Sequence, residues 1–179
     1  MMTAGITFTL IVLAAASTGA AFKPDQWYFQ LRKPSWTPAP MVFPIVWTVL
    51  YVAIAVAGWL VWKKAGWSAA LFAWVLQIVL NAAWSWVFFG LRRVGLAFVD
   101  VIALVAAVVA FIVLAQPISS TAALLFVPYL AWVCTAAALN LRVLQLNPSV
   151  WRGGWVERAF TGGTATASKR RADATRRRV

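Results

Sequence analysis

Histidine is absent from this sequence, cysteine occurs once, at Cys134, and only four of the 179 residues are acidic. Without histidine the chain lacks the commonest metal ligand and the commonest general base. A lone cysteine excludes a disulfide framework and any multi-cysteine metal site. No general acid–base pair, cofactor fingerprint or phosphate-cradling motif appears, so neither hydrolytic chemistry nor ATP-driven pumping by this chain is expected. Charge is scarce as well. Charged residues make up 11% and apolar residues 63%, against about 25% and about 45–50% in soluble domains. No soluble core hides that much apolar surface, so the solvent is lipid.

Five apolar runs are present, roughly Thr3–Phe22, Phe43–Trp62, Ser68–Gly90, Val94–Gln116 and Thr121–Leu144. Each is near the ~20 residues a helix needs to cross a bilayer, and far longer than the about 9–11 of a barrel strand. The fold class is therefore an all-α membrane protein, a five-transmembrane-helix bundle over residues 1–146. The first run has the small residues of a signal peptide near Ala16–Ala21 but no basic start, and it is long for one, so a retained helix is expected. Links at Lys63–Trp67, Leu91–Arg93 and Pro117–Ser120 are short, which makes successive helices antiparallel neighbours.

Every Lys and Arg except Lys63 and Lys64 falls on one side of this topology. The positive-inside rule places that side in the cytoplasm, with the N-terminus outside and, for a helical protein, the inner membrane as the expected location and the outer membrane as the alternative. Trp59, Trp62 and Trp67 at the opposite end, and Trp151 and Trp155 after the last run, read as headgroup-level anchors. Residues 147–179 form a basic tail with no apolar periodicity beyond Phe160. Disorder is expected there, with attraction to anionic lipid rather than to nucleic acid.

The one long connection, residues 23–42, sets Pro24, Pro34, Pro38 and Pro40 among Trp27, Tyr28 and Trp36. Proline fixes φ and aromatics bring apolar area at low entropic cost, so this is a stiff cover and not a flexible linker. Lys23, Arg32 and Lys33 on it are candidate partners for ligand carboxylates.

Polar side chains inside the runs mark helix contacts or sites. Gln77, Asn81, Trp84, Ser85 and Phe88 share one face of the third run; Trp132, Ala136 and Asn140 share one on the fifth; Phe43, Trp47 and Tyr51 one on the second. For Gln77, Asn81 and Asn140 interhelical hydrogen bonding is as good a reading as ligand binding. The indoles beside them favour a pocket, because helix packing in lipid selects small residues. Together with Trp36 of the cover, these residues line the expected site, which suits a flat apolar ligand. Asp100, the one acid inside a run, is expected to pair with Arg92 or Arg93 or to sit in the bundle interior. Pro128 is expected to kink the fifth run.

Three stretches, KPDQWYFQLRKPSWTPAPMVFPIVWTVLY at Lys23–Tyr51, LNAAWSWVFFG at Leu80–Gly90 and VPYLAWVCTAAALN at Val127–Asn140, resemble the tryptophan-rich sensory protein family, the bacterial branch of the translocator proteins or peripheral-type benzodiazepine receptors. The resemblance covers roughly residues 5–146. It implies five spans, commonly a homodimer, and a porphyrin-binding pocket under the first loop formed by Tyr28, Trp47, Tyr51, Asn81, Trp84, Trp132, Ala136 and Leu139. Trp47 and Trp132 match tryptophans that the family links to light-dependent porphyrin breakdown. Leu141 follows Asn140 where the family's sterol motif has an aromatic, so the resemblance does not extend to that motif.

The expected function is transport or sensing of tetrapyrroles, with no required cofactor and protoporphyrin IX or haem as ligand. Cys134 lies about 200° around the helix from Trp132, away from the pocket, so metal-free porphyrin suits the chain better than axially ligated haem. The alternatives are photo-oxidative porphyrin degradation and a regulatory subunit of a membrane complex.

Overall fold

The computed structural model describes residues 2–148, with the side chains of residues 2 and 3 left aside; the expectations for the tail, Trp151 and Trp155 lie outside the described residues. Within them the fold is wholly helical: α1 (Met2–Ala21), a short α2 (Gln26–Gln30), α3 (Val42–Ala65), α4 (Ala69–Ser85), α5 (Val94–Ala115) and α6 (Ser120–Leu146). Five of these elements are long and apolar enough to cross a membrane. Each falls on one of the apolar runs of the sequence, with ends shifted by a few residues.

Helix ends follow local chemistry. Ser68 and Ser119 cap α4 and α6, each side-chain oxygen accepting an N–H of the first turn, from Leu71 and Ala122. Gly66 ends α3 with φ at 56°, a conformation that only glycine adopts without strain. At the far end of α4 the helix widens into one π-turn, Trp86–Gly90. Leu91 and Arg93 then donate N–H bonds back to the carbonyls of Trp86 and Val87, and Arg92 between them sits at φ 55°. α6 continues across Pro128 without interruption.

The spans close a ring in the order α1, α3, α6, α5, α4 and back to α1. α3 and α4, although joined by a short hairpin and expected to be neighbours, are not adjacent in the ring: α1 lies between them, and they pack less closely than any adjacent pair. Large side chains bridge them: Trp74 of α4 donates its Nε1–H to the Ile54 carbonyl of α3 at 2.8 Å. α1 belongs to the core through Phe8, Val12 and Ala15, and the Phe8 ring meets the Trp74 ring edge-on at 4.9 Å.

Two apolar clusters result. The larger, built on Ile54, Trp74, Phe111, Phe126 and Tyr129, fills the ring. The smaller lies at one end and seats the first connection: Trp27, Tyr28 and Leu31 pack on Phe88, Val94, Ala97, Val143 and Leu144. The proline-rich connection is thus a lid footed on α4, α5 and α6. At the other end the Trp62 ring meets Trp67 at 5.7 Å, and the Lys63 ammonium stands 5.5 Å from the Trp59 ring centre.

Candidate ligand site

Within the ring the polar residues of α3, α4 and α6 join in a hydrogen-bond chain. The Tyr51 hydroxyl donates to Asn81 Oδ1 at 3.0 Å, Asn81 Nδ2 donates to the Tyr129 hydroxyl at 3.2 Å, and Tyr129 donates to Gln77 Oε1 at 3.0 Å. Gln77 and Tyr129 are fully buried, so each bond replaces water that the site cannot supply. Gln77 Nε2 is the exception, a buried donor with no partner among the described residues. Tyr129 is the member that sequence reading missed. It sits in the quoted stretch of α6, but its hydroxyl is polar only at the tip and leaves no mark on the apolar pattern.

Beside this chain runs an aromatic wall. Trp47 stacks on Tyr51 with ring centres 5.1 Å apart and meets Tyr129 edge-on at 6.1 Å. Trp132 of α6 meets Phe43 of α3 at 5.5 Å. Trp47, Tyr51 and Trp132 are each half-buried against the main core. Ala136, one turn beyond Trp132, and Leu139 are half-buried on α6.

Trp84 and Phe88 go elsewhere. They join the end cluster beneath the lid, 5.0 Å apart between ring centres, with Tyr28 meeting Phe88 at 6.1 Å and Phe89 at 5.4 Å. For Phe88 the π-turn contributes, because the wider turn at residues 86–90 changes the face on which the following aromatics emerge, whereas Trp84 lies before it in regular α4 and is held by Asn140. Asn140 ties the cluster to the bundle: its Oδ1 accepts from Trp84 Nε1 at 3.3 Å and its Nδ2 donates to the Val94 carbonyl at 3.0 Å. Trp36 is 51% exposed and makes no ring contact among the described residues. All three amides, Gln77, Asn81 and Asn140, therefore make interhelical bonds.

The lid's charges are also redistributed relative to expectation. Lys33 is not available to a ligand: its ammonium donates to the carbonyls of Tyr28, Leu31 and Phe29, at 2.8, 3.1 and 3.3 Å, and stands over the Tyr28 ring. It closes the C-terminal end of α2, where unpaired carbonyls gather. Partial desolvation draws its pKa below the usual lysine value, and burial raises that of the Tyr28 phenol. Arg92 pairs with Asp25 at 2.6 Å and not with Asp100. Desolvation, the largest single influence on Asp25, works against ionisation, but the Tyr28 N–H and the Arg92 guanidinium together outweigh it and hold the carboxyl below its ordinary range. Asp100 has its Oδ2 buried and without a partner among the described residues. Cys134 is exposed, away from the aromatic wall. Among the described residues no group of His, Cys, Asp or Glu is arranged to hold a metal.

Comparison with known proteins agrees with this architecture. The family model described as "TspO/MBR family" matches residues 7–146. The chain belongs to the TspO/MBR family. Among its relatives is the tryptophan-rich sensory protein of Cereibacter sphaeroides, 38% identical over 142 residues, covering 79% of this chain and 90% of the relative. The tryptophan-rich protein TspO of Chlorobaculum tepidum is 38% identical over 145 residues, covering 77% and 92%. The human translocator protein is 37% identical over 155 residues, covering 82% and 91%. The family match spans α1 to α6 and stops one residue short of Asn147, so the lid, the aromatic wall and the polar chain all lie inside it.

Proposed function

We propose that this membrane protein binds a porphyrin or related tetrapyrrole against the Trp47–Tyr51 and Phe43–Trp132 wall and acts in its transport or sensing. The observation that carries the reading is the juxtaposition of stacked aromatics with buried hydrogen-bonding groups. A flat macrocycle gains area and ring contacts from the indoles, while Tyr51, whose hydroxyl already donates to Asn81, keeps lone pairs for a pyrrole N–H. With Lys33 and Arg92 occupied within the lid, Lys23 and Arg32 are the lid cations left for propionate groups. The names of the relatives, sensory protein and translocator protein, fit either role. By the charge asymmetry of the sequence the lid end faces the cytoplasm.

The test is quenching of intrinsic tryptophan fluorescence by protoporphyrin IX on the purified protein. Saturable quenching is expected, weakened roughly tenfold in Trp132→Phe and in Trp47→Phe, since losing one stacked indole costs about 1–1.5 kcal/mol. Equal affinity in both variants and the parent would sink the site. Porphyrin flux into proteoliposomes separates transport from sensing.

A further inference from the structure

The polar chain has a direction and an open end. From the aromatic wall inward, Tyr51 donates to Asn81, Asn81 donates to Tyr129, and Tyr129 donates to Gln77. Every donor points away from the wall. Gln77, fully buried, is then left with one free donor, Nε2, among the described residues. A single other buried side-chain polar atom among them lacks a partner, and it is an acceptor, Asp100 Oδ2.

Helix register sets these two groups at one depth. Asn140 bonds both Trp84 of α4 and the Val94 carbonyl of α5. Following the two antiparallel helices inward, from 84 to 77 and from 94 to 101, brings Gln77 level with Val101, the neighbour of Asp100. Asp100 is also near enough to Tyr129 for its charge to act on that hydroxyl. Among the described residues no cation pairs with the carboxylate. Of the elements packed on α5, α4 and the π-turn carry no charged residue. α6 offers Tyr129, the exposed Cys134, and Arg142, which is exposed and bonded to Gln145. Arg92 belongs to Asp25, and Arg93 is exposed. A carboxylate in hydrocarbon without a counter-ion must find donors or take up a proton.

We propose that Asp100 terminates the polar chain through one bridging water. Its protonation state sets the direction of every bond in the chain, and with it the group that Tyr51 presents at the aromatic wall. Ionised, Asp100 accepts from the water, which accepts from Gln77 Nε2. The three bonds in the structure run this way, and Tyr51 keeps only lone pairs for a ligand. Protonated, Asp100 donates instead. The amides of Gln77 and Asn81 turn over, the hydroxyls of Tyr129 and Tyr51 rotate, and Tyr51 offers its O–H to the wall. One proton is bound at Oδ2 and no other covalent bond changes. A ligand that donates an N–H to Tyr51 thus favours the ionised acid and releases its proton, so by linkage its affinity rises with pH. That last step rests on reading the wall as a tetrapyrrole site; the coupling of Asp100 to Tyr51 does not.

Infrared difference spectroscopy of the ligand-free full chain in lipid nanodiscs, stepped between about pH 5 and 9, tests the coupling. A carboxylic C=O band absent in Asp100→Asn reports the acid. A phenol C–O band absent in Tyr51→Phe reports the wall, with three tyrosines in the chain to sort. Both bands should change with one midpoint, and Gln77→Leu should abolish the Tyr51 response while Asp100 still titrates. No Asp100 band change in this range, no Tyr51 response in the parent, or a response that survives Gln77→Leu overturns the proposal. Tryptophan quenching by protoporphyrin IX dimethyl ester, which has no propionates to titrate, then tests the linkage. Its affinity should rise roughly fivefold through the Asp100 midpoint, the worth of one hydrogen bond, and stay flat in Asp100→Asn. A flat affinity in the parent overturns the linkage. Absence of any quenching, with the infrared coupling intact, strikes the tetrapyrrole reading and supports the coupling alone.

Discussion

Trp74 occupies the space that a side chain at Gly58 would fill. A Cβ on Gly58 would stand 2.5 Å from Trp74 Cε2, 2.6 Å from its Nε1 and 2.8 Å from a Phe8 ring carbon. Glycine here is a requirement of close approach, since φ at residue 58 is ordinary. It lets the indole of α4 reach the backbone of α3, where Nε1–H finds the Ile54 carbonyl. The bare backbone, the indole and Phe8 of α1 thus make one three-helix joint.

Gly58→Ala should therefore be destabilising, by about 1–3 kcal/mol as over-packed cores generally are. Thermal unfolding in detergent measures it. The penalty should shrink in a Trp74→Phe background, because the two sites share one space and their effects do not add. Equal penalties in both backgrounds would mean that the joint is not the source.

Tyr129→Phe removes one hydroxyl and orphans two buried groups, Asn81 Nδ2 and Gln77 Oε1. Leaving a buried polar group unsatisfied costs about 1–3 kcal/mol. Gln77→Leu alone takes away the unpartnered Nε2 but leaves the Tyr129 O–H without its acceptor, while the hydroxyl still accepts from Asn81. The double variant Gln77→Leu/Tyr129→Phe should be more stable than the sum of the two singles predicts. Chemical unfolding of the four proteins gives the coupling, and strict additivity would break the chain at this link.

The Asp25–Arg92 tie has a defined pH response. Because the folded protein holds the Asp25 carboxyl below its ordinary value of 3.8, the tie contributes fully above that value and is lost as pH falls through the lower folded-state one. Lid exchange should accordingly be indifferent to this group between about pH 5 and 8. Asp25→Asn should raise exchange of the lid amides throughout that range. A titration of lid exchange near neutral pH that vanishes in Asp25→Asn would contradict the assignment.

Arg92 carries two opposed effects. Its backbone is left-handed, which costs a non-glycine residue roughly 1 kcal/mol, while its side chain holds the lid. Arg92→Gly should thus loosen the lid amides while leaving the unfolding temperature of the bundle unchanged or slightly raised. Arg92→Ala should loosen the lid with no such compensation. Comparing melting temperature with lid exchange for the pair separates backbone from side chain.

Lys33→Met keeps most of the stem length and removes the charge. With three lid carbonyls released, α2 should fray, and Tyr28, whose ring lies under the ammonium, should become more accessible to solvent. Tyr28 accessibility by chemical labelling reads this directly. No change would show that the Phe88 and Phe89 contacts alone hold the ring.

Much of this protein was open to a reading of composition and pattern. Where the solvent is lipid, an apolar run of the right length has essentially one solution, a helix whose backbone satisfies itself. The five spans, the short hairpins, and the stripes holding Gln77, Asn81, Trp132 and Asn140 follow from length and period alone. Tertiary structure decided what those stripes face. It set Trp84 and Phe88 in the lid's footing and not in the aromatic wall, Trp84 through its bond to Asn140 and Phe88 through a π-turn that no apolar periodicity encodes. It gave Lys33 to the lid's own carbonyls and Arg92 to Asp25, since an ion or donor takes the partner that three-dimensional proximity offers. It also brought Asn147 to Arg32 across 115 positions of the chain. Local sequence fixes which groups need partners; only the packed ring determines which partner each one meets.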